Sequence, residues 1–309
     1  MKRLRAFLLL LALAAGIGAY VWFVEMPRDT EVPETPAEKV FAVDATAIQE
    51  VTLKSEAGEQ STLRKSGDRW TLTEVSGADV DPTEAGNITS GLAALESQRV
   101  VDEQPPSLAE YGLATPRVTV SFKDGAGAPH TLLIGNKTPT GGDLYAKVDS
   151  ASRVFLIGAW LEETFNRSRF DLRDKAVAKF SRDAVTNVTI TSASGSVSLA
   201  QSGGEWRLTA PIAAPADNAA ADALVNALSG ARMQSIVDTP DAAAMGLTKP
   251  ALSVAVTAGP TRSVLEIGGP AETGTRYARD TVRNLVFTVD AALVSELTKT
   301  ADDLRKKDQ

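Results

Sequence analysis

The strongest constraint on this chain is that it states one plan twice. Residues 111–120 read YGLATPRVTV and residues 245–254 read MGLTKPALSV, each with Gly-Leu two residues ahead of a Pro and an alternating apolar run behind it. Laid against itself, the chain extends this match in both directions. VTLKSEAGEQSTLRKSGDRWTL (51–72) lies over VTITSASGSVSLAQSGGEWRL (188–208), and RVVDE (99–103) over SIVDT (235–239). TLLIGNKTPTGGDLYAKVDSASRVFLI (131–157) lies over SVLEIGGPAETGTRYARDTVRNLVFTV (263–289), and DLRDK (171–175) over DLRKK (303–307). The offset drifts only from 137 to 132, so few insertions separate the copies. A unit of this length is too long for a solenoid repeat and suits a domain. The boundaries fall at 41–176 and 177–309.

Each copy reads in the same order. VTL, STLRK and RWTLTE alternate apolar and polar residues around Gly-containing turns, which predicts a strand and hairpin with one buried face. DPTEAGNITSGLAALESQ and APADNAAADALVNALSG then carry apolar residues at helical spacing. RVVDE, RVTVSFKD, HTLLIG, LYAKV and RVFLI predict five short strands, and Trp160 to Phe170 a second helix. The fold class expected is α+β: two tandem, homologous, mostly antiparallel sheet domains, each with about two helices, preceded by one transmembrane helix. In the repeated phrase, Gly112 suits the left-handed end of a helical turn, Leu113 packs inward, and Pro116 sets an extended entry to the next strand. Gly246, Leu247 and Pro250 are read in the same way.

Residues 1–24 form the anchor. Lys2, Arg3 and Arg5 precede an uncharged apolar run from Ala6 to Val24, which spans about 28 Å as a helix. The basic flank keeps the N-terminus cytoplasmic and sends the bulk across the membrane. A cleaved signal peptide is the competing reading, and the aromatic end at Tyr20, Trp22 and Phe23 favours a retained anchor. Ala12 with Gly16, and Ala15 with Ala19, stand four apart, a spacing that lets membrane helices approach, although Ala and Gly are also simply common there. Residues 25–40 hold three prolines and read as a semi-extended spacer. Removing the three N-terminal cations from the formal charge of −7 leaves −10, a poor match for nucleic acid. The chain has no Cys and one His, so thiolate chemistry is out of reach and no metal or cofactor is expected.

The order Trp-x-Leu, helix, GL-x-x-P-x-x-x-V, Ile-Gly with a Thr/Gly-rich loop, Tyr-Ala-Lys/Arg and Val-Phe resembles the bacterial DUF4340 family across nearly all of 41–309. That resemblance implies a membrane-anchored periplasmic protein accessory to an ABC-type permease or its auxiliary subunit. It carries over no catalytic residues.

The candidate interaction surface rests on two features. The loop IGNKTPTGGDLYAKV (134–148) offers Lys137 and Thr138 beside several glycines, but a strand follows where a phosphate loop needs a helix, so a wide hairpin loop is the simpler reading. Tyr145 with Lys147, echoed by Tyr277 with Arg279, share one strand face, where they could bind a sugar or peptide or merely cover the sheet. His130 stands at the edge of the HTLLIG strand pattern and is read as a surface or turn histidine rather than a catalytic one. The function expected is that of a non-enzymatic periplasmic interaction protein accessory to an ABC-type transporter or envelope complex; the alternative is a glycan- or peptide-binding module using the cleft between the repeats.

Overall fold

The computed structural model describes residues 38–75 and 78–307. The anchor and most of the spacer, and with them Ala12, Ala15, Gly16 and Ala19, lie outside the described residues. Among the described residues no helix is long and apolar enough to cross a membrane.

The first copy runs β1 (Glu38–Lys39), β2 (Glu50–Lys54), β3 (Gln60–Ser66), β4 (Arg69–Leu72), α1 (Pro82–Ala93), β5 (Glu96–Ser97), β6 (Arg99–Asp102), β7 (Val118–Lys123), β8 (Pro129–Lys137), β9 (Asp143–Val148), β10 (Val154–Gly158), α2 (Leu161–Phe165) and α3 (Arg169–Leu172). The second runs β11 (Val185–Ser192), β12 (Gly195–Ser202), β13 (Glu205–Ala210), β14 (Ala214–Pro215), α4 (Asn218–Gly230), β15 (Ser235–Ile236), β16 (Leu252–Ala258), β17 (Thr261–Pro270), β18 (Thr275–Asp280), β19 (Leu285–Asp290), α5 (Ala291–Leu297) and α6 (Ala301–Leu304). The protein is therefore α+β with antiparallel strand pairing.

Two compact units emerge. One is built from Thr89–Phe165 with the described residues up to Ile48; the other from Gln49–Ile88 with Asn166 onward. In the first unit the strand order is β7-β8-β9-β10-β6. The second unit holds the β4-β3-β2 meander and a nine-stranded sheet ordered β14-β13-β12-β11-β16-β17-β18-β19-β15. The duplication is thus topological as well as sequential, because β13-β12-β11 repeats β4-β3-β2, and β16-β17-β18-β19-β15 repeats β7-β8-β9-β10-β6. The nine-stranded sheet begins and ends on two-residue strands, β14 and β15.

Its core follows from period-two alternation. Val188 and Ile190 on β11, Val254 and Val256 on β16, and Leu265 and Ile267 on β17 all enter one apolar cluster. Helix α4 covers the same face with Ala221, Leu224, Val225 and Leu228, and Leu293, Leu297 and Leu304 of the last two helices join them. Asp217 caps α4 by accepting from the Ala220 N–H.

One expectation is corrected. The single helix read from Trp160 to Phe170 is two short helices, α2 and α3. Ser168 starts the second with a capping box, its hydroxyl accepting from the Asp171 N–H while Asp171 accepts from the Ser168 N–H. Thr300 and Asp303 repeat the device ahead of α6.

Candidate functional site

The repeated phrase forms the foundation of the most distinctive surface. Gly112 has φ +69° and ends its turn in the left-handed region, and Gly246 has the same value. Leu113 and Leu247 are buried behind them. Each turn then seats on the sheet at the Ile-Gly phrase. The Tyr111 carbonyl accepts from the Asn136 N–H at 2.9 Å, and the Met245 carbonyl from the Gly269 N–H at 2.8 Å. Strand register slips at both places, between Ile134 and Lys137 and between Ile267 and Pro270. The bulge faces the turn's carbonyl with a glycine, since a Cβ on Gly135 would come closer than 3.0 Å to the Tyr111 oxygen.

In the first copy this seat carries charge. Lys137 ends β8 with its Nζ 2.6 Å from the Glu162 carboxylate, which also receives Arg117 Nη2 at 2.5 Å. Glu162 is 17% exposed, so both cations meet a largely shielded acceptor. Lys137 and then Arg117 hold its carboxyl below the usual carboxylate range, against the opposing effect of burial. Thr138 closes the adjoining loop: its N–H donates to the Asp143 carbonyl at 2.9 Å, and its carbonyl accepts from the Gly141 N–H at 2.8 Å. The loop is a hairpin connection. The Ala159 N–H donates to the Gly142 carbonyl at 3.0 Å, which brings Trp160 to the same edge. Trp160 is 70% exposed, the most exposed of the large apolar side chains among the described residues. Gly158 makes room for it, because a Cβ there would lie 2.5 Å from the indole Nε1.

The remaining candidates are engaged locally. Tyr145 meets Tyr111 edge to face at 5.1 Å, which ties β9 to the turn. Lys147 is buried, and its Nζ donates to the carbonyls of Val148 and Asp149 at 3.2 and 3.0 Å. Arg279 pairs across strands with Glu266, donates from Nε at 2.9 Å, and reaches the Leu247 carbonyl from Nη2 at 3.2 Å. Tyr277 sits on β18, half-buried and paired in register with Thr288. The structure therefore places Lys137, Thr138 and Trp160 along one edge, sets Tyr145 against the turn, holds Lys147 by backbone carbonyls, and holds Arg279 by Glu266 and the Leu247 carbonyl.

Trp160, Glu162 and Arg117 form the part that the motif reading passed over. The copies themselves hold the signal. By the alignment, Arg117 stands opposite Ala251, Lys137 opposite Pro270, Trp160 opposite Ala292 and Glu162 opposite Val294. Leu161 and Phe165 match Leu293 and Leu297, and all four are buried. The scaffold is shared, whereas the ion cluster and the exposed indole belong to the first copy alone.

His130 lies near the start of β8, on the strand read from HTLLIG, stacked on Phe122 at 4.9 Å. Its Nε2 is 3.1 Å from Asp124, and this hydrogen bond holds the Asp124 carboxyl below its ordinary range. Asp124 also accepts from the Ala126 and Ala128 N–H groups, so the pair fastens a hairpin. Among the described residues no three His, Asp or Glu side chains gather as a metal would require.

No curated protein and no solved structure matches this chain. The family described as "Domain of unknown function (DUF4340)" matches residues 30–106, 70–205 and 206–309, three segments consistent with a repeated unit. The chain belongs to the DUF4340 family.

Proposed function

We propose that the protein is a non-enzymatic interaction protein, anchored in a bacterial inner membrane with its bulk in the periplasm. Its first repeat presents Trp160 and the 137–142 loop to a membrane-protein partner. The observation that carries this reading is the exposed indole on a braced edge, in a position where the second copy has Ala292. Exposed aromatic anchors ringed by polar groups are characteristic of interfaces. The partner class, an ABC-type permease or its auxiliary subunit, comes from the family resemblance.

The carboxylates bound by cations are not set up as general acids. A general acid at neutral pH needs a raised carboxyl pKa, whereas Glu162, Asp79 and Asp174 are all lowered. Burial is the largest single effect at Asp79 and Asp174 and pushes upward, but Lys179 with Arg69 at the first, and Lys179 with the Ala176 N–H and Arg283 at the second, together outweigh it, and at Glu162 Lys137 leads.

The test places a photo-crosslinking amino acid at position 160 or 292 of the full chain in native membranes. The expected result is stoichiometric crosslinking to a permease or auxiliary subunit from position 160 and none from 292. Equal yields from both positions, or no adduct from 160, would overturn the proposal.

A further inference from the structure

The Asp-Leu-Arg phrases that close the two copies differ in one respect. Arg173 forms a backbone bridge with Val80, and Arg305 forms the equivalent bridge with Ala216. Arg305 is exposed, but Arg173 is only 9% exposed. Among the described residues no carboxylate lies within ion-pair distance of Arg173, and its side chain has no hydrogen-bond acceptor. Burial lowers its pKa, with the charge of Asp238 opposing that effect. The group nevertheless stays protonated, as guanidinium does.

Arg173 borders two cavities within the second unit. One, of about 370 Å³, is internally neutralised. There Lys179 lies 2.7 Å from Asp79 and 2.8 Å from Asp174, and Arg283 lies 2.6 Å from Asp280. The other, of about 340 Å³, has walls of Phe170 and Ile236 and also meets Arg169, Glu59 and Asp238. Its charges are not all matched. Arg169 pairs with Glu59 at 3.7 Å and donates from Nη2 to the Gln60 carbonyl at 3.1 Å, with its buried Nε left over, whereas Arg173 and Asp238 have no ion partner within pairing distance among the described residues. The groups that act electrostatically on Arg173, Asp238 and Arg169, both border this second cavity.

A largely covered guanidinium with no counter-ion in pairing range, its nitrogens still open to the cavities, is suited to an anion, and its planar fork is complementary to two coplanar oxygens. Glu59 and Asp238 on the border oppose a second negative charge, which disfavours phosphate. We propose that this cavity binds a monocarboxylate bearing a short apolar group, with Arg173 holding the carboxylate and Phe170 and Ile236 the apolar part. The proposal goes beyond the Trp160 surface and does not depend on it.

The test is calorimetric titration of the full chain in detergent with N-acetyl-leucine, the tripeptide Gly-Gly-Leu, N-acetyl-leucinamide and inorganic phosphate. At least one acid is expected to bind, with the amide at least tenfold weaker and phosphate silent. A tighter tripeptide assigns the site to a peptide C-terminus, and a tighter N-acetyl-leucine assigns it to a free acid. Arg173→Lys, which keeps the charge but loses the fork, is expected to weaken binding at least tenfold, and Asp238→Asn to strengthen it. No binding by either acid, equal binding of acid and amide, or an unchanged affinity in a folded Arg173→Lys protein would overturn the proposal. If Arg173→Lys does not fold, the Asp238→Asn titration decides, since unchanged or weaker acid binding there counts against the site.

Discussion

Replacing Gly135 by Ala tests the central structural claim, that the Gly-Leu turn and the Ile-Gly bulge form one seat built twice. Gly135 has no positive φ, so the added methyl costs nothing conformationally and everything spatially. It would meet the Tyr111 carbonyl oxygen closer than 3.0 Å, with Gly112 C and Leu113 Cγ each at 3.1 Å. Two of these neighbours are backbone and cannot rotate away. Overpacking of this kind costs about 1–3 kcal/mol. Loss of the Asn136 N–H to Tyr111 bond adds roughly 0.5–1.5 kcal/mol. A total of about 1.5–4.5 kcal/mol corresponds to a fall in Tm of roughly 3–18 °C for a fold of this size. Gly268→Ala meets the Met245 oxygen and Leu247 Cδ2 in the same way and is expected to cost the same within a factor of two. Gly141→Ala is the control, because nothing lies within 4 Å and only its φ of +77° resists substitution, at about 1 kcal/mol. Scanning calorimetry of the four proteins measures these shifts. A Gly135→Ala protein within 1 kcal/mol of wild type, on the scale of small surface effects, would refute the reasoning.

Two further outcomes follow from the ion cluster and the first helix. Glu162→Gln should cost about 1–2 kcal/mol at pH 7, mostly from the shielded Arg117 pair because Lys137 is half exposed. Since the folded carboxyl pKa is lowered, that stability is present above the ordinary carboxylate range and disappears as pH falls through the folded value. The gap between the melting curves of the two proteins should therefore narrow as pH falls below the ordinary carboxylate range, and a gap that does not narrow on acidification would contradict the assignment. Gly86 lies inside α1 with open space where a Cβ would stand, so Gly86→Ala should raise stability by about 0.5–1 kcal/mol, checked by urea unfolding.

Much of the fold was legible because its signals are local and occur twice. Alternation at VTITS or LSVAV and helical spacing at ALVNAL concern neighbours a few residues apart, and agreement between copies removes chance matches. What stayed hidden depends on contacts between distant segments. Gly112 and Gly135 each look like an isolated turn or strand glycine, and only the folded chain shows the carbonyl of Tyr111 lying against Gly135. Lys137 was visible as a loop cation, but its acceptor Glu162 lies beyond two intervening strands. Arg173 and Arg305 are identical in type and phrase, and nothing along the chain tells which is covered. Trp160 was visible yet was absorbed into a helix reading. Comparing the copies for differences, after using them for similarities, would have isolated it together with Arg117 and Glu162.

The two-residue edge strands β14 and β15 limit how another protein can engage the second repeat. Partners that extend a sheet need a run of free amides and carbonyls to zip against. Here one border ends in Pro215, which has no N–H, and the other offers only Ser235 and Ile236. Such blunted borders resist amyloid-like stacking, and they direct recognition toward side chains and loops. A tight-binding partner would then be found by altering individual protruding groups, and backbone-mimicking β-strand peptides would make poor inhibitors.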